Sequence, residues 1–183
     1  IPAAMFMMQS KTIIKSCAES GMSVEQVFTV ANEKLCEGND AGMFVTAWMG
    51  ILNVKTGKVL FANAGHNPPL VKHADGTYEY LKTRAGFVLA GMEGVRYRGN
   101  ELELAPGDAI YLYTDGVTEA TDLNTVLYGE DRLHTILEKY KDAAPQVICD
   151  EVKRDVDAFV GEAPQFDDIT MLALKYNGQE DAQ

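Results

Sequence analysis

The sequence predicts an α+β domain of mainly antiparallel sheets flanked by helices. Apolar residues recur at helical spacing near the start of the chain and again in its last third. Between those regions the period shortens to two, and Gly/Pro/Asp-rich turns break the runs. The turns between runs are short enough for hairpins, which pair strands antiparallel and leave helices segregated from the sheet.

Each element has a local cause. Residues 2–19 read as a helix, with Pro2 where a first-turn proline is tolerated and Ala3, Ala4, Met7, Met8, Ile14 and Ala18 following without a breaker. Gly21 is the stop. Ser23 opens a Ser-x-x-Gln capping box, and Val24, Val27, Phe28, Ala31 and Leu35 hold one face of a second helix, 23–37. GNDAG at 38–42 breaks the pattern. MFVTAWMGILNV reads as a strand, Lys55–Lys58 as a turn and VLFANAG as the returning strand. PPLVKH and TYEYLK flank Ala74-Asp75-Gly76, a second hairpin signal. Residues 86–100 are glycine-rich and carry no clear period. ELELAPGDAIYLYT gives two strands around a Pro-Gly-Asp turn, the second nearly all apolar and expected to be covered on both faces. EDRLHTILEKY and APQVICDEVKRDVDAFV are amphipathic helices, GEAPQFDD is a loop, and ITMLALKY is a last strand, also expected to be buried. The expected organisation is a single domain over 1–176 with a polar, fraying tail at 177–183.

Composition narrows the function classes. Of 183 residues 46% are hydrophobic and 23% charged, so the chain can bury a core. A formal net charge of -11 excludes non-specific nucleic-acid binding, which needs a basic face, and disfavours an anionic membrane. The three cysteines form no CxxC pair, so neither a zinc ribbon nor a disulfide framework is indicated, and a reducing cytoplasmic setting is expected. The apolar start, IPAAMFMM, is too short to span a bilayer; with no initiator Met, it suggests a piece of a longer chain.

Two acidic motifs stand at strand ends. Asp115-Gly116 follows the AIYLY strand, and Asp167-Asp168 precedes the last strand. If those strands are neighbours, three carboxylates meet at one sheet edge, where like charges raise one another's pKa unless a cation intervenes. Hard Mg2+ or Mn2+ suits such an all-oxygen set. Equally, Asp-Gly is a common turn, and an Asp before a strand is a common surface residue. Glu119 and Asp122 read as rim acids. His66 sits in the turn NAGHNPP, where it could orient a ligand, donate a proton or simply pack. No nucleophile elbow or P-loop is present, which favours metal-activated water as nucleophile.

MFVTAWMGILNVKTGKVLFANAGHNPPLV, LAPGDAIYLYTDGVTEATD, YGEDRL and FDDITMLAL, in that order, resemble the PPM (protein phosphatase 2C-like) metal-dependent serine phosphatases. The similarity is to their bacterial sporulation stage II E-like branch, which regulates sigma factors. The resemblance implies an α-β-β-α sandwich and a centre of two Mn2+ or Mg2+ ions that activates water against phosphoserine. By motif position it implies Asp115 and Asp167 as metal ligands, Asp168 as a weaker candidate where the superfamily has Asn, and Gly116 as support for the turn. His66 falls within a motif but receives no role. The helix pair 2–19 and 23–37 would lie against the active-site sheet and transmit regulation. The family's Asp-x-x-Gly-Lys-Gly motif, which precedes the helix that begins like IPAAMFMM, is not in the sequence, so the sheets would lack their first strands and the chain would be a poor phosphatase. Exposed strand edges would then invite pairing or a homodimer. The expected partners are a phosphoserine protein of the anti-sigma-factor antagonist type and an upstream sensory or receiver domain. The competing expectations are a non-catalytic pseudophosphatase that binds a phosphorylated partner and a metal-sensing domain without catalysis.

Overall fold

The computed structural model describes residues 2–84, 86–165 and 167–179. Ile1, Phe166 of the FDD motif and tail residues 180–183 lie outside them. In chain order the elements are α1 Pro2–Glu19, α2 Val24–Cys36, β1 Ala47–Leu52, β2 Lys58–Ala64, β3 Leu70–Lys72, β4 Tyr78–Tyr80, β5 Asn100–Glu103, β6 Ala109–Tyr113, α3 Gly129–Lys139, α4 Pro145–Val160 and β7 Met171–Lys175. The chain divides into two compact units, the first Ile1–His66 with Thr83–Glu103 and the second Asn67–Lys82 with Leu104–Gln183.

The first unit is a helix pair on a three-stranded antiparallel sheet of order β1-β2-β5. α2 starts where the Gln26 side chain accepts the Ser23 N–H at 3.0 Å, and it buries Val24, Val27, Phe28, Ala31 and Leu35 as the periodicity predicts. α1 uses its apolar residues only in part. Cys17 is buried, and Phe6, Ile13, Ile14 and Ala18 pack against the same core cluster, while Met5, Met7 and Met8 remain exposed. The run IPAAMFMM is apolar all round, so one packed face cannot cover it. Ala47, Met49, Ala62 and Ala64 share the sheet face that meets α2.

The glycine-rich segment without a period is held by a side chain. Asn32 of α2 is fully buried; its Oδ1 accepts the Ala90 N–H at 2.9 Å and the Tyr97 hydroxyl at 3.3 Å, and its Nδ2 donates to the Met92 carbonyl at 2.9 Å. Irregular backbone has no ladder to satisfy it, so a buried carboxamide supplies the partners. Ala90 is held at φ +64, a left-handed conformation rare for a residue with a Cβ.

The second unit is a four-stranded antiparallel sheet of order β4-β3-β6-β7, one face of which packs on α3 and α4. Leu70, Tyr111 and Tyr113 from the sheet meet Leu133, Leu137, Ile148, Val152 and Val156 from the helices. Arg132 joins the helices: its Nε donates to Asp155 Oδ2 at 2.8 Å while its guanidinium lies 4.8 Å from the centre of the Phe159 ring. Those Arg132 hydrogen bonds, helped by the Tyr128 hydroxyl, hold the Asp155 carboxyl below its ordinary range.

The two strands around Pro106-Gly107-Asp108 belong to different sheets; β5 pairs with β2, and β6 pairs with β3 and β7. The turn moves the chain from one sheet to the other. One expectation is corrected: the last strand is not buried. β7 is an edge strand whose Leu172 is 55% exposed, because only β6 flanks it.

Asn32→Ala should lower the unfolding free energy by about 1–3 kcal/mol, since it strands buried backbone groups of the 89–92 loop. Urea denaturation measures this, and an unchanged midpoint would show that these bonds do not hold the loop.

Candidate metal centre

β6 and β7 are neighbours, so the two acidic motifs come to one sheet edge. The ladder continues past its last named pair, Tyr113 with Met171. The Thr114 N–H donates to the Thr170 carbonyl at 3.0 Å, and the Thr170 N–H donates to the Thr114 Oγ1 at 3.0 Å. The Thr114 hydroxyl donates in turn to the Asp168 carbonyl at 3.0 Å. Sequence reasoning assigns Thr114 no role; the signal it offers is a hydroxyl residue at a strand end, next to the acid Asp115.

Gly116 has a sharper reason than a tight turn. Its φ is not left-handed, so conformation alone would admit another residue. A Cβ there, however, would lie 2.4 Å from the Asp168 carbonyl oxygen. Only glycine lets the two loops approach so closely.

The carboxylates are exposed and individually oriented. Asp115 Oδ1 accepts the Gly116 N–H at 3.1 Å, and the Asp115 carbonyl accepts the Glu119 N–H at 2.8 Å. Asp167 Oδ1 accepts the Asp168 N–H at 2.7 Å, and its carbonyl accepts Gln165 Nε2 at 2.8 Å. Among the described residues none of Asp115, Asp167 and Asp168 forms an ion pair with Lys, Arg or His. In each of the first two, one oxygen is fixed by backbone and the other carries no hydrogen bond there. Beside them a cleft is lined by Gly116, Glu119, Val156, Val160, Pro164 and Asp167.

The donor set matches a hard divalent cation in kind, being carboxylate oxygen throughout. It is small in number: no group of three or more His, Cys, Asp or Glu able to hold a metal occurs among the described residues. Asp122 serves its own loop instead. It accepts the Asn124 and Val126 N–H groups at 2.8 and 2.9 Å, which lowers its pKa, the Val126 bond first. His66 belongs to the first unit. Its N–H donates to Asn63 Oδ1 at 2.8 Å and its carbonyl accepts Asn63 Nδ2 at 2.9 Å, so Asn63 clasps the NAGH turn around Gly65, whose φ is +74.

Gly116→Ala should destabilise the protein by about 1–3 kcal/mol and weaken Mn2+ binding, because the loop bearing Asp115 must withdraw from Asp168. Urea denaturation and Mn2+ titration check this; wild-type values in both would show the close approach to be dispensable.

Residues 1–177 match the family model described as Stage II sporulation protein E (SpoIIE). Two curated relatives are each 30% identical: the phosphoserine phosphatase RsbU of Bacillus subtilis over 96% of this chain, and protein IcfG of Synechocystis over 77%. The chain spans 52% and 22% of their respective lengths. The SiaA-PP2C domain of Pseudomonas aeruginosa shares the fold, with a TM-score of 0.81 at 20% identity, over 96% of this chain and 71% of that one. The catalytic domain of the serine/threonine phosphatase PstP, solved with two manganese ions, is similar at a TM-score of 0.62 and 12% identity, over 90% and 79% of the two chains. No helix among the described residues is long and apolar enough to cross a membrane. With all but the last few residues covered by the family model, the chain belongs to the Stage II sporulation protein E (SpoIIE) family.

Proposed function

We propose that this domain hydrolyses phosphoserine on a regulatory protein, of the anti-sigma-factor antagonist type, with Asp115 and Asp167 as ligands of an Mn2+ or Mg2+ centre. The observation that carries the reading is the pairing of these two acids at neighbouring strand ends, each with one oxygen pinned by the next N–H. The pinning sets the direction of each carboxylate before any ligand arrives, which limits the ordering cost of binding. Thr114 and Gly116 keep the two loops in contact, so the acids act as one site. Asp168 adds a third negative charge, while its carbonyl is committed to Thr114. When bound, divalent cations make water nucleophilic near neutral pH and stabilise charge on the phosphoryl oxygens. The cleft beside Asp167 gives a protein segment apolar wall at Val156, Val160 and Pro164.

The small donor set among the described residues favours a second reading for the chain by itself, a phosphoprotein-binding module with little turnover. The two readings part on the supply of further ligands. Residues 1–183 alone should show no Mn2+-stimulated hydrolysis of p-nitrophenyl phosphate, and joining a segment with an Asp-x-x-Gly-Lys-Gly motif should restore it. Robust activity from the chain alone would refute the need for more ligands; no gain from the joined segment would favour the binding module.

In the active form, Asp115→Asn or Asp167→Asn should each cost about a hundredfold or more in turnover. Near-normal rates in both variants would overturn the ligand assignment.

A further inference from the structure

β6 has a second chemically loaded end. Its first residue, Ala109, pairs with Lys72 of β3 on one side and Lys175 of β7 on the other. Directly opposed residues of antiparallel strands share a face, so both lysines stand in one row on the face that carries Tyr111 and meets the helices. A small half-open pocket forms there, lined by Lys72, Lys175, Lys141, Tyr78, Tyr111 and Pro145. Lys141 comes from the α3–α4 connection, and Pro145 is the first residue of α4, whose N-terminus has no side-chain cap and no acid in its first turn.

The buried partners of this pocket are incomplete. Lys72 is only 6% exposed overall, but its ammonium is not among the buried unpartnered atoms, and its side chain makes no hydrogen bond or ion pair among the described residues. Among the described residues the Tyr111 hydroxyl is buried without a partner, and burial pushes its pKa up, so it stays a donor. A buried hydroxyl is normally paired, and an ammonium at a pocket mouth with no fixed counter-charge is free to take an anion. The 16-residue α4 adds the positive end of its dipole. Acids lie close by as well: Asp142 follows Lys141 and acts on Tyr78, and Asp75 is near Lys141. Neither lines the pocket, whose charged lining is wholly cationic.

We infer that Lys72, Lys141 and Lys175, with the N-terminus of α4, form a binding site for an oxyanion of the phosphate type. It lies at the far end of β6 from Asp115, six residues or about 20 Å along the strand, and is distinct from the candidate metal centre. The ammonium groups supply charge and three rotatable donors each, and the chain's overall charge of -11 makes this a local basic exception rather than a general surface property.

The test is thermal unfolding of the metal-free 183-residue chain against inorganic phosphate and, separately, O-phosphoserine, with ionic strength held constant by chloride. Phosphate should raise Tm saturably. Lys72→Met and Lys141→Met should each weaken the apparent affinity about tenfold, Asp142→Asn should tighten it, and Asp115→Asn should leave it unchanged. Response to inorganic phosphate alone identifies the free ion as ligand, and response to both identifies a phosphate group on a larger molecule. If Lys72→Met fails to fold, Lys141→Met, at a surface connection, carries the test. No phosphate-specific shift, an unchanged response in the lysine variants, or loss of the response in Asp115→Asn would each overturn the site.

Discussion

The end of the β6–β7 ladder constrains the rest of the candidate site. Thr114 and Thr170 exchange bonds there, Thr114 reaches on to the Asp168 carbonyl, and Gly116 packs its backbone against the same carbonyl. Each of these is a short-range contact between segments more than fifty residues apart in sequence. Together they bring Asp115 and Asp167 to one edge without asking either acid to hold the loops. The structural work falls on backbone, a hydroxyl and a glycine, so Asp115 and Asp167 stay exposed, each with one carboxylate oxygen held by the next N–H and neither in an ion pair among the described residues. A metal centre needs that separation, because a ligand tied up in an ion pair would have to break it before binding.

In the first unit, asparagines do comparable work. Asn32 holds the 90–92 segment from within α2, Asn39 bonds the Met43 N–H and carbonyl at 2.9 and 2.7 Å, and Asn63 clasps the NAGH turn. A carboxamide can donate and accept at once, which suits irregular backbone whose N–H and C=O groups both need partners. Regular elements satisfy themselves, and these loops rely on single side chains.

β6 therefore has a buried middle and two ends of opposite character. Ile110 and Tyr111 are buried, Asp115 extends past one end toward other acids, and lysines flank Ala109 at the other. A rigid strand in mid-sheet suits this, since it fixes both ends in one frame while its centre makes the core. The proposed metal centre lies at the acidic end.

The sequence by itself determined what repeats along the chain. The apolar spacing of α2, α3 and α4, the Ser23 start of α2, the β3–β4 hairpin and the acidic motifs at 115 and 167 were all legible, because each follows from residues within one or two turns of each other. Tertiary structure alone decided which strands are neighbours. It sent β5 and β6 to different sheets across Pro106-Gly107-Asp108, left the apolar β7 at an edge, and gave Thr114 its contacts. It also replaced a turn by a close contact as the reason for Gly116, and set Lys72 and Lys175 on either side of Ala109. The reason is physical: periodicity records which side chains of a segment are covered, whereas register and pairing depend on backbone bonds to segments far away in sequence.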